Sequence, residues 1–172
     1  ASFHGASGGI TGGCYEHTPA VESCPESYIL FEGGCYKYVS VPADASSASN
    51  NCRASENGWL ATLNSESKLG LASFFGITDD TYFGLYKTSG CSGSGCDNVL
   101  AWETCSGCDA PVDGYTLNMK SGEPDTWGRL RFFMSAADNF EWRDTSGFDA
   151  RPYLCETSVV STPGAPQTVV KT

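Results

Sequence analysis

Nine cysteines in 172 residues constrain this chain more than any other feature. Such a density is rare in cytosolic proteins and ordinary in small secreted ones, so a disulfide framework formed in an oxidising compartment is expected. Cys24 and Cys35 bracket the aromatic segment Tyr28-Ile29-Leu30-Phe31 and the pair Gly33-Gly34, a pattern that predicts an amino-terminal β-hairpin stapled across its turn. Cys52 and Cys155 are far apart, and a bond between them would contribute about 4–5 kcal/mol in the chain-entropy picture. Cys91 and Cys96 flank Ser-Gly-Ser-Gly, and Cys105 and Cys108 flank Ser-Gly, where glycine permits tight cystine loops. The pairing among these four stays open. A zinc site of the form C-x4-C…C-x2-C is the alternative their spacing allows, while the secretory character of the rest of the chain favours disulfides. Cys14 is the odd thiol, either free or bridging to another chain.

The length suits one domain with appendages, large enough to bury a sizeable core. Twenty acidic residues against ten basic ones leave a net charge of −10, which argues against nucleic acid as a partner. The balance fits cation binding, although a solvated acidic surface accounts for most of it. No segment approaches the apolar run that a bilayer requires, and no leader is recognisable, so a secreted chain whose signal has been removed is expected. Asn-x-Ser/Thr does not occur, which excludes N-glycosylation. His4 and His17 read as surface groups. No nucleophile–base pairing or phosphate-cradling loop is present, so enzymatic activity is not expected.

Residues 1–23 are glycine-rich and residues 157–172 are rich in Ser, Thr and Pro, the latter open to O-glycosylation. Both read as extended flanks of a domain spanning residues 24–156. Within it, residues 36–41 alternate as a strand that Pro42 ends, and residues 43–52 form an alanine- and serine-rich helix. Residues 59–63 are extended. Asn64 or Ser65 caps a second helix to Phe75, with Gly76 as its stop. Residues 82–86 are a buried strand, and residues 87–128 are dominated by loop. Strands over 129–134, 140–143 and 153–156 complete an α+β architecture.

Several pieces of this frame, in this order, resemble the C-type lectin domain. They are Cys24-Pro25, Gly58-Trp-Leu-Ala-Thr-Leu-Asn-Ser65, Tyr82-Phe-Gly-Leu85, Glu123-Pro124-Asp125, Trp142-Arg143-Asp144 and Tyr153-Leu-Cys-Glu156. The resemblance implies an α+β C-type lectin-like fold with two helices, short antiparallel sheets and a long loop region stapled by disulfides. It also implies a Cys24–Cys35 hairpin disulfide and a long Cys52–Cys155 disulfide. The family's second core disulfide would fall near residues 132–134 and 147–148, where this chain has no cysteine, and phenylalanines are expected to fill that space.

In sugar-binding members of that family a calcium ion sits where Glu123, Asp125 and Asp144 fall here. The resemblance therefore implies these three as metal ligands, calcium as cofactor, and Glu123, Asp125 and Trp127 as ligand-binding residues. A cis Glu123–Pro124 bond would turn both flanking carboxylates toward one ion. Two positions depart from the pattern. Arg143 replaces an Asn ligand, and residues 129–131 supply no carboxylate. Either Glu103, Asp109 or Asp113 completes a calcium site, or Arg143 or Arg129 pairs with Glu123 or Asp125 and replaces the ion. Trp102, Trp127 and Trp142 read as core or its rim, as do Tyr86 and Tyr115, with stacking on a sugar ring as the alternative for Trp127 beside Glu123-Pro124-Asp125. The expected function is extracellular recognition or adhesion, with a glycan or an extracellular protein as partner. The alternative is a calcium-independent subunit of an extracellular assembly, self-associating through Cys14 and the flanks.

Overall fold

The computed structural model describes residues 19–105, 108–111 and 118–164, with backbone alone at 104–105 and 108–111. Cys14, His4, His17, Asp113, Tyr115 and the end of the carboxy-terminal tail lie outside the described residues, as do the side chains of Cys105, Cys108 and Asp109.

The first described strand, β1 (Val21–Ser23), precedes the expected hairpin of β2 (Ile29–Phe31) and β3 (Gly34–Ala43). Glu32 and Gly33 turn the hairpin at positive φ, and Cys24–Cys35 staples it with its Cα atoms 5.5 Å apart. The first helix, α1 (Ala45–Ala54), starts two residues later than expected because Asp44 caps it: its carboxylate accepts from Ser47 N at 2.9 Å. The extended segment after it pairs only over β4 (Trp59–Leu60). The expected second helix is two single turns, α2 (Glu66–Leu69) and α3 (Leu71–Phe74), joined at Gly70. A glycine weakens a helix interior, and Ser65 makes no side-chain cap bond, so nothing local holds one continuous helix. Gly76, at φ +62°, stops it as expected.

The central strand β5 (Thr81–Lys87) is buried along nearly its whole length. The region after it is less loop-like than its glycines suggested, because it folds back as the hairpin β6 (Leu100–Cys105) and β7 (Cys108–Pro111). Leu100, Ala101 and Trp102 are buried, and that apolar run draws the segment onto β5. Then come β8 (Arg131–Met134), β9 (Trp142–Thr145), β10 (Arg151–Thr157) and β11 (Val160–Thr162). The main sheet runs β2-β3-β10-β5-β6-β7, with β8 and β9 continuing from β5 and β4 lying on β10. Every pairing in it is antiparallel except β10 with β5.

Two apolar clusters hold this frame. One is built on Phe83, Trp102, Phe132 and Trp142, whose Phe83 and Trp142 rings lie 5.0 Å apart. The other surrounds Cys52–Cys155 with Tyr28, Leu60, Tyr82, Phe133 and Tyr153. Gly84 is required between them: a Cβ there would lie 2.2 Å from the Leu60 carbonyl oxygen. The space of the missing second disulfide is filled only in part as expected. Phe132 is buried, but Phe148 is 86% exposed. Gly147, at φ +83°, faces Arg131 and Ala45, which would stand 2.9 and 3.0 Å from a Cβ and leave no room for a ring.

Outside residues 24–156 the two flanks meet. β1 and β11 form a separate two-stranded ribbon, with Val21 opposite Thr162 and Ser23 opposite Val160.

Candidate functional site

The site lies where two loops and two strand ends converge. Gly122 at φ +89° and a cis Glu123–Pro124 bond shape the first loop, which leans on β9 through Lys120 N donating to Trp142 O. The second loop is closed by Cys91–Cys96, which excludes a zinc site of four thiolates. Gly93 N donates to Pro124 O and Cys91 N to Trp127 O, so the two loops are joined through their backbones.

Glu123, Asp125 and Asp144 come together as expected, with one carboxylate oxygen from each inside a 4.8 Å cluster. Each already faces a cation. Arg143 Nε donates to Glu123 Oε1 at 3.1 Å, and its Nη1 to Asp138 Oδ2 at 3.4 Å. Glu123 Oε2 accepts from the backbone of Asp125 and Asp144 at 3.3 and 3.4 Å. Asp125 accepts from Thr126 Oγ1 at 2.7 Å and has Arg129 at 3.9 Å. The Thr126 hydroxyl, and then the charges of Arg129, Arg143 and Lys87, hold the Asp125 carboxyl below its ordinary range. Arg143 is pushed up, first by its hydrogen bond to Glu123.

The residue that organises the site is Lys87. Its side chain and that of Asp144 are both fully buried. Its ammonium donates to Asp144 Oδ2 at 2.8 Å and to the carbonyl oxygens of Cys91 and Thr126, each at 3.0 Å. An ammonium has three protons, and all are used. Asp144 Oδ2 also accepts from Thr126 N at 3.1 Å, while Oδ1 is buried without a hydrogen bond and has Arg129 at 3.7 Å. Lys87 therefore ties β5, β9 and both loops together.

Calcium is one ion that this acidic cluster could hold. It takes six to eight oxygens at 2.3–2.6 Å, and here the three carboxylates are balanced one for one by Lys87, Arg129 and Arg143. The expected pairing of Arg143 with Glu123 forms, whereas the cation at Asp144 was missed in the sequence. One signal was available. Strand parity from Phe83 and Leu85, both buried, puts Lys87 on the inward face.

The other candidates fall elsewhere. Glu103 is buried in β6, where it accepts from Ser49 at 2.6 Å and Arg131 at 3.2 Å with Arg53 at 3.6 Å, so it belongs to a structural cluster under α1 and cannot complete a metal site. Trp102 and Trp142 are core. Trp127 is 68% exposed and its indole rests on Gly90, where a Cβ would come 2.3 Å from the ring nitrogen.

No protein-family model and no curated protein sequence matches the chain. Solved structures match over most of it. A calcium-independent type II antifreeze protein is 18% identical, covering 81% of this chain and 98% of its own, with a TM-score of 0.64. The C-type carbohydrate-recognition domain of cow CD23, solved with a GlcNAc2Man3 oligosaccharide, is 20% identical over 80% and 98% at 0.63. The C-type lectin CEL-I from Cucumaria echinata is 19% identical over 82% and 99% at 0.62. At such identities the likeness establishes the fold, which is C-type lectin-like.

Proposed function

We propose that this C-type lectin-like domain is an extracellular recognition module that binds glycan at the loop surface around Trp127, without calcium. C-type lectin-like domains are binding modules and not enzymes. The observation that carries the reading is the Lys87 ammonium, which takes one carboxylate and two carbonyl oxygens and so holds together the loops that an ion would otherwise have to hold. Trp127 offers the flat apolar face that sugar rings stack on, seated on Gly90 and followed by the half-exposed Arg129. The disulfides Cys24–Cys35, Cys52–Cys155 and Cys91–Cys96 suit an oxidising, extracellular setting. Retention on immobilised mannose- and galactose-type glycans tests this, with expected retention equal in calcium and in chelator and lost in Trp127→Ala. Retention that chelation abolishes would overturn calcium independence, and no retention on any glycan would overturn glycan binding.

A second reading, a subunit of an extracellular assembly, is favoured by the β1–β11 ribbon. It brings both flanks to one place and leaves Val21 and Val160 exposed on strands whose outer edges pair with no other strand among the described residues. Light scattering and non-reducing gels on the full chain and on Cys14→Ser distinguish it. A monomer in both would dispose of it.

A further inference from the structure

The chain has five arginines and a net charge of −10, yet three of the five, Arg129, Arg143 and Arg151, line one cavity of about 260 Å³ beside the loop site. Thr145, Ser146 and Phe133 complete most of its wall. The donors there are not all spent. Among the described residues the Arg129 guanidinium makes no hydrogen bond, only ion pairs of 3.7 and 3.9 Å. Arg143 uses Nε and Nη1 on Glu123 and Asp138, which leaves Nη2 uncommitted among the described residues. Thr145 Oγ1 accepts from Gly147 N at 3.3 Å and keeps its own proton to donate. Arg151 is anchored, its two Nη atoms on Asp80 and Asp149 and its guanidinium carbon 3.8 Å from the Phe133 ring centroid. Two carboxylates also line the cavity, but both are answered: Asp144 by Lys87, Asp149 by Arg151.

A small, polar, donor-rich cavity whose guanidinium groups keep unspent N–H donors suits an oxyanion. We propose that it is a subsite for a single sulfate or carboxylate group carried by the ligand, in effect a preference for a sparsely charged acidic glycan. A dense polyanion is disfavoured by the −10 charge of the rest of the chain. Naming a glycan rests on the recognition reading above; the oxyanion site itself does not.

Inorganic sulfate is the first probe, followed by NMR of the arginine Nε–H groups against chloride at equal ionic strength. A saturable shift at Arg129 is expected with sulfate and not with chloride. Galactose-6-sulfate, galacturonate and galactose then separate sulfate ester, carboxylate and neutral sugar, and both acidic sugars are expected to bind more tightly than galactose. Arg129→Gln is expected to weaken sulfate binding about tenfold, since a hydrogen bond to a charged group is lost, while Lys37→Gln leaves it unchanged. Sulfate that acts no differently from chloride on the unmodified chain overturns the proposal, whatever the variants do. Glycan retention at Trp127 without any preference for acidic sugars overturns the subsite and leaves the recognition reading standing. Saturable sulfate binding with no glycan retention does the reverse.

Discussion

Replacing Lys87 with methionine is the sharpest perturbation of the site. Methionine keeps the apolar stem and removes the ammonium, so β5 still packs against Phe132 while Asp144 Oδ2 and the carbonyls of Cys91 and Thr126 lose their donor. Breaking a fully buried ion pair from one side costs about 3–5 kcal/mol, because the remaining charge stays desolvated and unpaired. Two features reduce the loss here. Thr126 N still donates to Asp144, and the half-exposed Arg129, now 3.7 Å from Oδ1, has room to close in. The lower half of that range, about 3–4 kcal/mol, is therefore expected. For a domain of this length it corresponds to a fall in melting temperature of about 6–16 °C by calorimetry or circular dichroism. The pair Lys87→Met with Asp144→Leu removes both charges, and should cost less than the sum of the single changes by about 1–3 kcal/mol. A Lys87→Met protein that melts within about 2 °C of the parent would refute the claim that this ammonium organises the site.

If Lys87 does the work of a cation, calcium should leave the parent's melting temperature unchanged and should recover part of the stability lost in Lys87→Ala; a parent stabilised by calcium would contradict both. Glu156 is buried under β4, accepting from Thr62 N at 2.8 Å and Tyr36 at 3.3 Å, and burial raises its pKa despite Lys68. A carboxyl raised on folding binds its proton more tightly in the folded state, so stability falls as pH rises from its unfolded pKa, about 4.3, through its folded one; Glu156→Gln should flatten that limb of the melting profile, and identical slopes would count against it. Asp138 has the opposite sign: hydrogen bonds from Lys120 and Ser135 lower its pKa, so its contribution is present above the unfolded value and lost as pH falls, and Asp138→Asn should flatten the acid limb. Gly90→Ala should displace the Trp127 indole, shifting its fluorescence and weakening glycan retention while the melting temperature changes little; Gly84→Ala, aimed at the Leu60 carbonyl, should instead prevent folding, which solubility and circular dichroism report.

What was legible in the sequence, and what was not, follows from the range of the forces involved. Gly84, the glycine of the Tyr-Phe-Gly-Leu segment, and the hairpin at Cys24–Cys35 are fixed by sterics and covalent geometry within a few residues, so the frame could be read. The cis peptide before Pro124 is equally local, and the carboxylates of Glu123 and Asp125 on either side of it do come together with Asp144. Glu103 was placed wrongly because its partners, Ser49, Arg53 and Arg131, come from α1 and β8, and no local pattern brings those elements to β6. Lys87 falls between these cases. A lysine at the end of a strand ordinarily points to water, and only its parity with Phe83 and Leu85 puts it inside. Once it is inside, three loop and strand oxygens decide its role, and none of them is a local neighbour except the Cys91 carbonyl. Local charge balance is thus the quantity that the sequence conceals. A chain of net charge −10 invites the search for a metal, yet around Glu123, Asp125 and Asp144 every carboxylate already has its cation. What is left over at this end of the molecule is N–H donors, on Arg129 and Arg143, and they point the search toward an oxygen-rich anionic group on the ligand.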